Sequence, residues 1–205
     1  MKTFKLMPLA ALMYAFTTSP EITAQAVASE KKTTTDNGKD QKNNSLKEQS
    51  FMERYYDMRD TYPQLTGLHG HYAASSHSKK KFMERYNQIM AAYPKLTDVF
   101  GNYAASDYTL EDFAKRYYEI RDTYPQYTMY FGDYAGCTHT LNDFIKRYNE
   151  IKASAPDLGG CYGIYAASEN SLPEFSSRYY GVKASNTGMK NCFGEYAGST
   201  KKLSN

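Results

Sequence analysis

Tryptophan is absent from the 205-residue chain, and cysteine occurs only three times. Three cysteines cannot staple a small disulfide-dense scaffold. If the chain is exported, an odd count leaves at least one thiol free or intermolecular. Long apolar runs are also scarce. The one apolar stretch of any length, Leu6 to Phe16, has 11 residues and is too short to span a bilayer. That excludes a multi-span membrane protein. Excess charge is small, with 25 Lys+Arg against 22 Asp+Glu, a formal net charge of +3. A nucleic-acid binder or polybasic membrane binder carries a larger basic excess. Catalytic signatures are missing too. There is no G-x-S-x-G, no P-loop, no H-E-x-x-H and no Cys–His pair with a matching acid. The expectation is a protein that is not an enzyme and takes no cofactor.

The chain is rich in tyrosine, with 21 Tyr and 10 Phe in a hydrophobic share of 41 %. Its start has a different character. Lys2 and Lys5 precede the apolar run, and Ala24-Gln25-Ala26 closes a polar stretch with a small-x-small pattern. These parts, in this order, predict a secretory signal over 1–26 and a mature chain beginning near Val27. Residues 27–46 hold almost no large apolar side chain and predict a disordered spacer. Asn43-Asn44-Ser45 fits the N-glycosylation pattern and matters only in a eukaryotic source.

From residue 47 an ungapped 31-residue repeat sets the fold. Tyr72, Tyr103, Tyr134, Tyr165 and Tyr196 mark it. Arg54, Arg85, Arg116, Arg147 and Arg178 keep the same step. So do Phe51, Phe82, Phe113, Phe144 and Phe175, and Gly70, Gly101, Gly132, Gly163 and Gly194. The copies span 47–77, 78–108, 109–139, 140–170 and 171–201. In copy three, Leu110, Phe113, Tyr117, Ile120 and Tyr124 fall on one stripe of a first helix. Thr109 with Asp112, Thr140 with Asp143 and Ser171 with Glu174 resemble capping boxes. Pro125 ends that helix. Leu96, Val99, Phe100, Tyr103 and Ala104 give a second, shorter helix in copy two. A turn plus short strand is the alternative for that segment. The recurrent Gly beside the Tyr predicts close approach of a neighbouring helix. Helix pairs repeated in tandem predict an all-α solenoid, with units stacking over on the order of 40–50 Å. Copies one and five look worn, as end caps do, with Glu48, Pro173 and Gly181 at departures from the pattern. The repeat lacks the tetratricopeptide W-x-x-L-G pattern, and no particular family is identified.

Two residue sets are candidates for a binding surface. One is the Arg ladder, Arg54, Arg85, Arg116, Arg147 and Arg178. It reads as a face for an acidic peptide, phosphate or glycan, or as structural arginines that pair locally or stack on Tyr. The other is Tyr56, Tyr118 and Tyr180, which directly follow another Tyr and turn away from the apolar stripe. They read as a binding row or as packing between copies. His69, His71 and His77 cluster in copy one, but no full metal-ligand set is visible, so no metal is expected. Cys161 and Cys192 are one repeat apart, beyond disulfide reach. The functional expectation is a secreted, non-enzymatic scaffold, an effector or adhesion factor. It would bind a protein, peptide or glycan outside the cell. The alternatives are a precursor cut into repeated peptides, at Lys115-Arg116 and Lys146-Arg147, and a cross-linked structural protein.

Overall fold

A computed structural model describes residues 49–185, 188–189 and 192–204. The expected signal and spacer lie outside the described residues. Ten α-helices, and no strand, occur among those described. The helices form pairs. A longer helix packs on a six-residue one in each copy: α1 (Phe51–Thr61) on α2 (His69–Ala74), α3 (Lys79–Ala92) on α4 (Phe100–Ala105), α5 (Leu110–Thr123) on α6 (Phe131–Gly136), α7 (Leu141–Ser154) on α8 (Tyr162–Ala167), and α9 (Leu172–Ala184) on α10 (Phe193–Gly198).

Local sequence explains the breaks. The longer helices begin after Ser50, Ser78, Thr109 and Thr140, each of which accepts the backbone N–H three residues on. The reciprocal capping box is complete at Ser50 and Glu53. Ser171 takes the N-cap position of α9 but makes no capping hydrogen bond. Four of the longer helices end at the residue before a proline, where Tyr62, Tyr93, Tyr124 and Ala155 leave the helical region. A 3-10 turn then leads into each of α2, α4, α6 and α8. The second helix is therefore shorter than its apolar spacing suggests. Gly101 falls in its first turn, not its middle.

The pairs do not form the expected open solenoid. Each short helix packs against the next, from α2 through α8 to α10, and α10 packs back on α2. The row closes into a ring, with the short helices inside and the longer ones outside. The same aromatic contact marks every joint. Tyr72 meets Phe82 edge-on at 5.5 Å, Tyr103 meets Phe113 at 5.2 Å, and Tyr134 meets Phe144 at 5.5 Å. Tyr165 meets Phe175 at 5.4 Å, and Tyr196 of the last copy meets Phe51 of the first at 5.4 Å. Two backbone hydrogen bonds, from Phe51 to Lys202 and from Met52 to Leu203, complete the seam. Copies one and five are thus neighbours, and their departures from the pattern do not cap free ends.

The wedge shape of each copy produces this curvature. On the outside, Tyr and Phe rings fill the wall, such as Tyr86 on Phe100 and Tyr117 on Phe131. His69 takes the same aromatic slot in copy one, edge-on to Tyr55 at 5.7 Å. On the inside, the facing positions hold Gly and Ala. A Cβ on Gly132 would lie 2.6 Å from Oδ1 of Asn102 and 2.9 Å from Cγ1 of Val99 in the preceding copy. On Gly70 it would lie 2.9 Å from Sγ of Cys192, across the seam. The close approach expected at the recurrent Gly is present, and it extends round the whole ring.

Closure has a measurable consequence. Phe51 is as buried as Phe113, although it opens the first helix. In denaturant titration, Phe51→Ala is expected to cost about 3–5 kcal/mol, as much as Phe113→Ala. An open array with a frayed first copy would lose far less at Phe51.

Candidate functional site

The five arginines are directed inward. Each guanidinium lies over the Tyr ring of its own copy, at 4.1 Å for Arg54 on Tyr72 and for Arg85 on Tyr103. The distances are 4.2 Å for Arg116 on Tyr134, 4.3 Å for Arg147 on Tyr165 and 4.2 Å for Arg178 on Tyr196. The same guanidiniums donate to carbonyls at the C-terminal end of the short helix. Arg116 reaches the carbonyls of Tyr134 and Cys137 at 2.9 Å and that of His139 at 2.8 Å. Arg54 does the same at Tyr72 and His77. Arg85 reaches Tyr103 and Tyr108, Arg147 reaches Tyr165 and Asn170, and Arg178 reaches Tyr196 and Lys201. A charge at a helix C-terminus, stacked on an aromatic face, is a strong local clamp. It ties the short helix to the long one within a copy. The ladder of the sequence reading is therefore not an open row of cations. Asp112, one turn before Arg116, accepts from Thr109 at the N-cap and is not a partner of Arg116.

Tyr56, Tyr118 and Tyr180 sit on the outer wall, with Asn87 and Asn149 at the same position in copies two and four. Arg59 covers the Tyr56 ring at 4.5 Å, and Arg121 covers Tyr118 at 4.4 Å. Tyr180 is 42 % exposed and donates to Asp157 on the connector of copy four. The three rings do not form one continuous stripe. The three thiols are free and buried, and burial pushes Cys137 and Cys161 up to about 11 and Cys192 to about 12. His77 and His139 each set Nε2 against a carbonyl of the next copy, Ser106 at 2.8 Å and Ser168 at 2.9 Å. No group of three or more His, Cys, Asp or Glu side chains suited to a metal ion exists among the described residues.

A cavity of about 260 Å³ lies where the five short helices converge. Each helix contributes three corresponding positions to its wall. The first is the residue between the recurrent Gly and Tyr: His71, Asn102, Asp133, Ile164 and Glu195. One turn on come small residues, Ala74, Ala105, Gly136, Ala167 and Gly198. Next come Ser75, Ser106, Cys137, Ser168 and Ser199. Asn102 donates from Nδ2 to Asp133 at 2.9 Å. Desolvation pushes the Asp133 carboxyl up to about 7, and the nearby Glu195 adds to it. Glu195 is raised to about 7 by the same desolvation. Desolvation lowers His71 to about 4, which keeps the imidazole neutral.

The sequence reading missed this site. It named His71 only as one of a cluster with His69 and His77, with no metal expected. The signal was nevertheless present. In Gly-x-Tyr-Ala, x is a different residue in every copy, within a motif that is otherwise constant. Against known proteins, no family matches the chain, nor does any curated protein or solved structure.

Two outcomes follow from these environments. Arg116→Ala is expected to lower stability by on the order of 2–3 kcal/mol in urea titration, because several carbonyls lose a charged donor. Arg116→Lys is expected to recover only part of this, since an ammonium cannot reproduce the planar fork.

The second concerns pH. In the ring, Asp133 and Glu195 keep their protons up to about pH 7. Unfolded, they ionise near pH 4. Over that range the folded state binds more protons, so stability falls as pH rises. His71 works the other way, adding stability as pH climbs from about 4 to its unfolded value near 6.5. Two carboxyls outweigh one imidazole. The protein is expected to be more stable at pH 5 than at pH 7.5, by a few kcal/mol at most. In the double variant Asp133→Asn, Glu195→Gln that slope is expected to reverse, because His71 then acts alone.

Proposed function

We propose that the protein is a non-enzymatic binding protein acting outside the cell, and that its ligand sits in the cavity at the centre of the ring. One observation carries this reading. The positions that hold the ring together recur from copy to copy, whereas the position facing the cavity is His, Asn, Asp, Ile and Glu in turn. Each of these side chains also lies against the recurrent Gly of the next copy, and that repeated contact gives no reason for five different side chains, four of them polar. A ligand without fivefold symmetry does. The N-terminal signal pattern supports export. The cavity is mostly preformed and framed by short helices pinned at both ends, as suits a binding site.

A second reading keeps the outer wall as a surface for a protein, peptide or glycan. Its support is the exposed Tyr180 and the Arg-covered rings of Tyr56 and Tyr118.

Native mass spectrometry of the chain exported by its source tests both parts. The expected species starts near Val27 and carries a non-covalent mass that is lost on denaturation. Ala105→Leu, which enlarges a side chain on the cavity wall, is expected to abolish that mass while circular dichroism stays unchanged. Tyr118→Ala and Tyr180→Ala are expected to leave it in place. A wild-type chain without retained mass overturns the cavity reading. A chain found only inside the cell, with its first residues intact, overturns export.

A further inference from the structure

Resting on the cavity reading above, we infer that the ligand is a small protonated amine, bound through its ammonium group at the level of Asp133 and Glu195. The argument is a count of hydrogen-bond donors and acceptors around the cavity. Ser75, Ser106, Ser168 and Ser199 each donate their hydroxyl proton to the Tyr carbonyl three residues back. Arg54, Arg85 and Arg178 donate in turn to the Oγ of Ser75, Ser106 and Ser199, so each of these keeps one acceptor lone pair and Ser168 keeps two. Cys137 directs its S–H to Tyr134 in the same way. Asn102 commits its amide nitrogen to Asp133, which leaves its carbonyl oxygen. Asp133 and Glu195 add carboxyl oxygens on two of the five helices. Among the described residues, no Lys or Arg lines the cavity. The five guanidiniums nearby spend their donors on the helix-end carbonyls and, in four copies, on Ser75, Ser106, Cys137 and Ser199 of the wall.

The wall therefore offers many acceptors and few donors. Neither nitrogen of His71 has a hydrogen-bond partner among the described residues, although the ring lines the cavity. A neutral imidazole supplies one acceptor and one donor there. The complement of such a wall is a group with several donors and a positive charge. An ammonium has three donors and no acceptor. A carboxylate or phosphate would meet lone pairs and two acidic side chains. A metal ion is disfavoured because no convergent ligand set exists among the described residues. At roughly 30 Å³ per water-sized group, the cavity holds on the order of eight such groups. A short amine fits within that space. Ile164 and the Ala and Gly positions give its carbon chain an apolar side.

Charge linkage supports the assignment. An ammonium stabilises the ionised carboxylates, so binding below about pH 7 expels protons from Asp133 and Glu195. His71 on α2 and Cys137 after α6 are the other titratable groups facing the cavity, and neither carries charge at neutral pH. Asn102 and Ile164, from the remaining two short helices, do not titrate.

Three isosteric probes separate charge from shape: n-propylammonium, n-propanol and propionate, titrated into the purified chain and followed by the NMR shifts of the cavity residues. Propylammonium is expected to bind in the millimolar range, at least tenfold more tightly than propanol, with propionate weakest. At pH 6, calorimetry in buffers of different ionisation enthalpy is expected to show protons released on binding. Asp133→Asn and Glu195→Gln are each expected to weaken propylammonium several-fold and leave propanol unchanged. Equal binding of propanol, tighter binding of propionate, or no binding by any probe overturns the inference. A retained natural ligand that proves neutral or anionic overturns the amine and leaves the cavity reading standing. A native chain with no retained ligand removes the cavity reading itself.

Discussion

Five helices can surround one axis closely only if each offers its neighbour a surface without a side chain. The recurrent glycine supplies that surface. At Gly132 and Gly70 a methyl group would press into the preceding copy. A helix pays up to about 1 kcal/mol for such a glycine. Overpacking a closed ring would cost about 1–3 kcal/mol, and it could not be relieved by splaying one end. The glycine therefore sets how tightly the inner wall curves. The bulk of the Phe and Tyr rings outside sets the wedge that curves it. Everything else, including the cavity, depends on that difference in thickness.

Within each copy a second constant unit does a different job. Arg and Tyr stack, and the Arg then gathers the carbonyls at the end of the short helix. A six-residue helix is too short to be stable alone. Here its C-terminal end is held by a guanidinium and its first turn by the glycine contact. His77, His139 and Asn170 carry the same bonding to the next copy by donating to its helix-end carbonyls. The outcome is a set of short helices fixed well enough to hold different side chains at matched positions.

The repeat, the helix pairs, the role of proline and the close approach at glycine were all legible in the sequence, because each has a local cause. Helix periodicity showed which face of α5 is buried. Closure was not legible. Nothing in 31 residues states the angle between one copy and the next, and an open row obeys the same pattern as a ring. That angle depends on the difference in bulk between Phe131 outside and Gly132 inside, which are sequence neighbours. Arg116 was legible as a helix-face residue but not as a clamp, since its carbonyl partners lie 18 to 23 residues on. The axial residues were overlooked for the opposite reason. Periodicity marks what recurs, and Asp133 and Glu195 stand out only by not recurring.

The seam between Phe51 and Lys202 brings the two ends of the repeat array side by side. The array is then a cycle that the covalent chain happens to interrupt at one joint. Order along the sequence loses much of its meaning for such an object. The same contacts could be made by a chain that began at the connector before α5 and ended after α4, with a short bridge at the present seam. During synthesis the cycle has no such freedom. The joint between Tyr196 and Phe51 spans almost the whole array, so it forms last. Until it does, the inner wall is open and the cavity has only part of its lining.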